Sequence, residues 1–400
     1  MASVVSYFLV VAALLLAIPV TLLCLEVIAA LSLPEQQTAA PSEVNVRQRV
    51  AVLVPAHNES VGILSTLDDI KAQLLNGDRL VVIADNCADD TAAVAAGASA
   101  ETIERNDRAR HGKGYALDFG IKHLSLDPPA IVIIIDADCR VEKGTLDQLA
   151  ITCAITHRPV QALDLMTVPA ESPINSHIAE FAWRIKNWVR PLGLSVLNLP
   201  CQLMGTGMAF PWEIIRSTSL ASGSIVEDLK LGLDLAKSGS PPLFCPSARV
   251  TSQFPLSIEG TRSQRVRWER GHISMILTTV PHFIYEAVAS KNMNLLALTL
   301  DMAIPPLSLL VVLVAGMSLV TVVAALFGLS YVALVISAGC CLALVLAVFL
   351  SWLWYGRDIL APSAIILVAS YIFAKLPIYR RFLSGGAASQ WTRADRKKNE

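Results

Sequence analysis

Two long tracts of this chain carry no charge: Met1 to Leu25, and everything between Asp301 and Arg357. A helix crosses the roughly 30 Å hydrocarbon core of a bilayer in about 20 residues. The first tract is therefore long enough for one span, despite Pro19, and the second for two with a turn at Phe327 to Ser330. With 54% hydrophobic and 16% charged residues over 400 positions, the chain is too apolar for an ordinary soluble enzyme. The first tract lacks a basic n-region and a small-x-small cleavage site before Glu26, so a retained anchor is expected rather than a cleaved signal peptide. Ile359 to Ala374, interrupted by Pro362, is short for a span and is expected to tilt, re-enter or lie at the interface. The tail carries Lys375, Arg380, Arg381, Arg393, Arg396, Lys397 and Lys398 and belongs on the cytoplasmic side. Two C-terminal crossings plus a non-crossing third segment keep it there.

Between these ends the chain changes character. Val50 to Pro55, Leu80 to Ala84 and Ile131 to Ile135 are uninterrupted aliphatic runs, the last two each followed directly by an aspartate, Asp85 and Asp136. Such runs, alternating with helical spacing at Glu59 to Leu75 and Asp89 to Gly97, predict a mainly parallel sheet covered on both faces. Ligands of such sheets collect beyond the carboxyl ends of the strands. His57-Asn58-Glu59, Asp85-Asn86 and Asp136-Ala137-Asp138 all fall there. Neither G-x-G-x-x-G nor a P-loop is present, and His111-Gly112-Lys113-Gly114 has the spacing of neither, which removes nicotinamide and NTPase chemistry.

Eight scattered cysteines without a C-x-x-C pair predict neither a disulfide framework nor structural zinc. A net charge of -1 argues against nucleic acid as a partner. Ile178, Phe181, Ile185, Val189 and Leu192 recur at helical spacing, with Arg184, Lys186 and Arg190 between them and Trp183 and Trp188 alongside. That helix lies either at the membrane interface or on the sheet. Ile273 to Val288, broken by Pro281, is expected on the membrane surface.

Asp136 and Asp138, two residues apart after a strand, can reach one divalent ion and the diphosphate it bridges. Asp85 can accept hydrogen bonds from a base or ribose, or simply cap a helix. Lys113 is the candidate phosphate ligand of the basic stretch Arg105 to Lys113, because its flanking glycines admit close backbone approach. Glu227-Asp228 opens a helical segment, where acids favour the dipole; Asp228 is the candidate general base, with Glu227 beside it. Gly205-Thr206-Gly207 forms either the floor of an acceptor site or a tight turn. In Gln264-x-x-Arg267-Trp268, helical spacing puts all three side chains on one side. Gln264 and Arg267 can donate to pyrophosphate oxygens, and Trp268 offers a face for a sugar ring.

Together these residues resemble the membrane-bound family 2 glycosyltransferases, the group of cellulose, hyaluronan and chitooligosaccharide synthases, over roughly Val50 to His272. The resemblance implies a GT-A-type, Rossmann-like, mainly parallel sheet flanked by N- and C-terminal transmembrane helices. It implies inverting transfer from a nucleotide sugar, with a UDP-sugar as the expected donor, and with Mg2+ or Mn2+. Asp85 corresponds to the aspartate contacting uridine, Asp138 to the metal ligand of D-x-D, and Asp228 to the base of E-D. Pro55, His57, Glu59, Lys113, Asp136, Gln264 and Arg267 complete the expected donor site; Gly205, Thr206 and Trp268 the acceptor site. Val226 stands where many relatives have Thr, and neither a gating-loop signature nor many spans are present. An oligomer, an export partner or a non-processive reaction would fit that economy. Transfer to a membrane lipid, and a catalytically silent sugar-nucleotide-binding subunit, remain alternatives. A transporter would keep its polar machinery inside the spans.

The expected organisation is an anchor at 1–33, a linker at 34–49, a cytoplasmic catalytic domain at 50–272, interfacial helices at 273–300, transmembrane or re-entrant segments at 301–379 and a basic tail at 380–400. A bacterial inner membrane is the expected location.

Overall fold

The computed structural model describes residues 2–32, 47–221, 226–254 and 258–363. Chain contacts divide it into a sheet unit, drawn from Pro34–Thr167 and Leu199–Gln264, and a helical unit, drawn from Met1–Leu33, Val168–Asn198 and Arg265–Ala388. The third apolar segment beyond residue 363 and the basic tail lie outside the described residues.

The sheet unit contains β1 (Val50–Ala56), β2 (Arg79–Asp85), β3 (Glu101–Arg105), β4 (Ile131–Ile134), β5 (Arg140–Val141), β6 (Val160–Thr167), β7 (Met208–Pro211) and β8 (Leu243–Gln253). They form one eight-stranded sheet in the order β3-β2-β1-β4-β7-β6-β8-β5. β1 runs parallel to β2 and β4, and β2 to β3; β7 is antiparallel to both β4 and β6. The chain leaves β1 toward β2 on one side and reaches β4 on the other. That reversal opens a crevice at the carboxyl ends of β1 and β4.

Alternation sorts the aliphatic runs onto two faces. Val50, Val52, Val54, Ile131 and Ile133 pack with Ile63, Leu67 and Ile70 of α2 (Ile63–Lys71) and with Leu146 and Leu149 of α5 (Thr145–Thr156). Ala51, Leu53, Val132 and Ile134 pack with Leu117 and Leu124 of α4 (Lys113–Leu124) and with Leu231 and Leu235 of α9 (Glu227–Lys237). Both faces being covered, no polar alternation survives in these strands. Each fully buried aliphatic side chain contributes at most about 1.5–3 kcal/mol, which is why central strands tolerate so few interruptions. Between them α3 (Thr91–Gly97) follows β2.

The helical unit contains α1 (Ala2–Leu31), α6 (Ile174–Arg184) running through a π-helical turn at Ile185–Val189 into α7 (Arg190–Val196), then α11 (Val280–Ala289), α12 (Met293–Met302), α13 (Leu307–Leu326) and α14 (Tyr331–Tyr355). After α8 (Trp212–Ile215) in the sheet unit, α10 (Ile258–Thr278) begins among sheet-unit residues and ends among helical-unit ones. Among the described residues three helices, in α1, α13 and α14, are long and apolar enough to cross a membrane. Gly193 lets α7 approach α1 closely: a Cβ there would stand 1.9 Å from the Glu26 carbonyl oxygen.

The charges of the amphipathic stretch do not behave as a solvated face. Arg190 is buried, donating to Glu26 Oε2 at 2.9 Å, to the Asp301 carbonyl at 2.7 Å and to the Asp301 carboxylate. Arg184 reaches the Asp358 carboxylate at 2.7 Å. An arginine placed by helical periodicity among polar neighbours is thus an internal tie, because carboxylates from α1 and α12 meet it.

Candidate active site

β4 is buried throughout, Ile135 after it is buried too, and the chain then turns out at Asp136, which is partly exposed. The Asp136 N–H donates to the Thr206 hydroxyl at 3.0 Å, and buried Gln161 donates to the Thr206 carbonyl at 2.8 Å. Thr66 donates to the carbonyls of Ala137 and Cys139 at 2.9 and 2.7 Å, pinning the other side of the Asp-Ala-Asp turn. Thr206 is therefore turned toward the backbone of Asp136. Thr66 and Gln161, not singled out by sequence reasoning, set this geometry; Ser65, Asp68 and Asp69 surround Thr66 in sequence and Asp164 shares the strand of Gln161, so neither stands out locally.

Lys113, the first residue of α4, follows Gly112, whose φ of 129° a side chain would rarely adopt. Its ammonium pairs with Asp136 and donates to the Gly205 carbonyl at 2.8 Å. A Cβ on Gly205, where φ is 95°, would lie 3.4 Å from Asp228 Oδ2 and 3.7 Å from Lys113 Nζ. Gly205 thus sits beside both groups with no side chain to part them. Burial disfavours the Lys113 charge, yet Asp136, Glu227 and Asp228 outweigh it and raise its pKa. Burial raises Asp136, assisted by Asp138 and Asp228 and opposed by Lys113. Glu227 is pushed up to about 7 by burial, with Asp228 adding to it. Four carboxyl-bearing residues, separated by up to 92 positions, therefore share one electrostatic site around a lysine.

Asp85, at the end of β2, is nearly buried. Its Oδ1 accepts from Arg105 at 2.6 Å and from the Asn86 amide at 3.0 Å, while its carbonyl meets the His57 ring at 2.7 Å. Asn86 and Asn58, both with positive φ, brace this corner: Asn86 accepts from the Asp107 N–H at 2.8 Å and Asn58 from the Ala88 N–H at 2.6 Å. The Glu59 N–H donates to Thr91 at 2.8 Å, and Pro55, partly exposed, pairs in register with Ile83. Arg105 was legible only as part of a basic stretch; the structure shows it buried on Asp85, with Tyr115 5.6 Å from its guanidinium.

Gln264, Arg267 and Trp268 lie within α10. Gln264 belongs to the sheet unit, whereas Arg267 and Trp268 belong to the helical unit, so the structure groups them by helix rather than by unit.

Such a site, acidic residues at the mouth of a parallel sheet around a half-buried lysine, suits the handling of a phosphorylated ligand and proton transfer from a hydroxyl. Residues 47–271 match the family described as glycosyltransferase like family 2, and the chain belongs to that family. It has a GT-A-like sheet and apolar helices that could span a membrane. It is 26% identical over 253 residues to the probable glycosyltransferase YdaM of Bacillus subtilis (strain 168), covering 59% of this chain and 58% of that protein. The match thus spans little more than half of the relative's length. The fold is similar to that of the mannosyltransferase PcManGT from Pyrobaculum calidifontis, in complex with GDP-Man and Mn2+. That likeness has a TM-score of 0.52 and 19% identity over 86% of this chain and 99% of that one.

Proposed function

We propose that this membrane protein is an inverting glycosyltransferase of the cellulose, hyaluronan and chitooligosaccharide synthase type, moving a sugar from a nucleotide diphosphate sugar to a saccharide acceptor. The observation that carries it is the convergence of Asp136, Lys113, Gly205 and Asp228, drawn from four separate parts of the chain. The donor enters with its base at Asp85 and its diphosphate near Lys113. In a single displacement the acceptor oxygen bonds to the anomeric carbon as the bond to the diphosphate oxygen breaks. Asp228 takes the acceptor hydroxyl proton, and Trp268 stacks against the acceptor sugar.

Among the described residues no group of three or more His, Cys, Asp or Glu side chains is arranged to hold a metal. The hard oxygen donors of an Asp-x-Asp turn instead fit a Mg2+ or Mn2+ held by one or two carboxylates plus substrate phosphates. Asp138, the second carboxylate of the turn, would hold it, while Asp136 pairs with Lys113. When bound, the ion neutralises charge on the departing diphosphate. Asp136 keeps the Lys113 ammonium aimed at the same place.

We place the catalytic domain on the cytoplasmic face of a bacterial inner membrane, as the two uncharged tracts that flank it and the basic tail support. A membrane-lipid acceptor is the second reading, favoured by having only three spanning-grade helices among the described residues, few for threading a polymer.

The test is release of nucleotide by the purified, detergent-solubilised chain. The assay takes a panel of UDP-sugars together with GDP-mannose, with Mn2+ or Mg2+, beside an Asp138→Ala control. Metal-dependent turnover with one donor, lost in the control, is the expected result. Nucleotide binding without turnover, even with lipid extract added, would favour a silent regulatory subunit. An organic-extractable single-sugar product would replace the polymer reading with the lipid one.

A further inference from the structure

Trp183 lies near the end of α6, two residues before the π-helical turn begins at Ile185. Its indole lies against that of Trp268, with ring centroids 5.0 Å apart and planes inclined by 39°. The Lys186 ammonium stands 5.2 Å from the centre of the Trp183 ring. π-Helical turns are rare and concentrate at functional sites; here the turn carries Lys186 and lies in a stretch that is tied down on both sides of it, at Arg184 and at Arg190.

That tying is extensive. Arg184 donates to the Tyr355 carbonyl at 3.0 Å as well as to Asp358, Trp188 meets the Tyr355 ring edge-on at 5.3 Å, and Arg190 is closed between Glu26 and Asp301. A helix fixed at so many points presents the Trp183 ring as a rigid wall rather than a swinging one.

We propose that Trp183 is a positioning residue for acceptor recognition: it holds the Trp268 indole at a fixed tilt, and Lys186 fixes Trp183 in turn through its ring face. The inference rests on Trp268 stacking the acceptor. An aromatic ring recognises a sugar by laying its face on the apolar side of the pyranose, so tilt decides whether a ring is met flat. Freeing Trp268 to rotate therefore weakens acceptor binding before it alters the displacement itself.

The experiment uses the full chain in detergent with the donor that gives turnover, and with cellotetraose, chitotetraose or total lipid extract as acceptor. Trp183→Leu is expected to raise the acceptor KM by about three- to tenfold, with kcat at saturation changed far less and Trp183→Phe restoring most of it. Adding Trp183→Leu to Trp268→Leu should then have no further effect on KM. An unchanged KM in Trp183→Leu, while Trp268→Leu raises it, overturns the positioning role alone. An unchanged KM in Trp268→Leu itself overturns the acceptor reading beneath it. Circular dichroism supplies a measurement independent of turnover. The wild type minus Trp183→Phe difference should carry the exciton couplet of two adjacent indoles and lose it in a Trp268→Leu background. A difference spectrum identical in both backgrounds refutes the pairing.

Discussion

Each unit of this protein sets a basic side chain between carboxylates from distant parts of the chain, Arg190 in one and Lys113 in the other, and these two clusters have opposite characters. In the helical unit Arg190, Glu26 and Asp301 side chains are 5–7% exposed, and the guanidinium fork is filled by both acids. In the sheet unit the Lys113 and Asp136 side chains are 21% and 36% exposed, and Glu227 and Asp228 crowd the same lysine. A closed, saturated cluster can only hold helices together. An open cluster with an excess of acid keeps unspent electrostatic potential, which a cation, a phosphate or an acceptor proton can meet.

The contrast can be broken most severely at Asp228. Asp228→Asn should lower turnover by about 10²- to 10⁴-fold while leaving the thermal midpoint of the detergent-solubilised chain in place; full turnover would remove Asp228 from the chemistry. Arg190→Met should do the reverse. It leaves two acids buried without their cation and should cost on the order of 3–5 kcal/mol of stability, read as a lowered midpoint. The triple variant with Glu26→Gln and Asp301→Asn should recover most of it, and failure to recover would show that Arg190 does more than neutralise. Lys113→Met should raise the donor KM by roughly ten- to a hundredfold, the scale of a lost charge-assisted hydrogen bond; a change confined to kcat would place the lysine on the transition state instead.

The smallest effect concerns pH. Burial, with Asp228 beside it, pushes Glu227 up to about 7 in the fold, against about 4.5 for an ordinary glutamate, so between those values the folded state holds a proton that the unfolded state has lost. Its contribution to stability is complete below about pH 4.5 and disappears as pH rises through about 7. Midpoints measured across that window should fall with pH less steeply in Glu227→Gln than in the wild type. Equal slopes would mean that Asp228 or Asp136 carries the proton.

How much of this was legible beforehand differs by element. β1, β2 and β4 are readable because burial on both faces leaves unbroken aliphatic runs. β6 and β7 are not: buried Gln161 and Asp164 interrupt β6, and β7 is four residues long. Their identity as strands depends on partners distant in the chain, with β7 inserted antiparallel between β4 and β6. In the site, acids at strand and helix ends stood out by position. Arg105 did not, because nothing local distinguishes a buried arginine from an exposed one in a run of basic residues.

The sequence by itself determined the apolar ends, the doubly covered parallel core and the acidic residues at its carboxyl edge, since each follows from local periodicity and the cost of placing charge in lipid or in a core. Only the tertiary structure decided that Lys113 joins Asp136 to the neighbourhood of Asp228, that Arg105 belongs to Asp85, and that Arg190 is an internal tie. Those are pairings across tens to hundreds of residues, and a charged side chain carries no mark of its partner until folding removes the water between them.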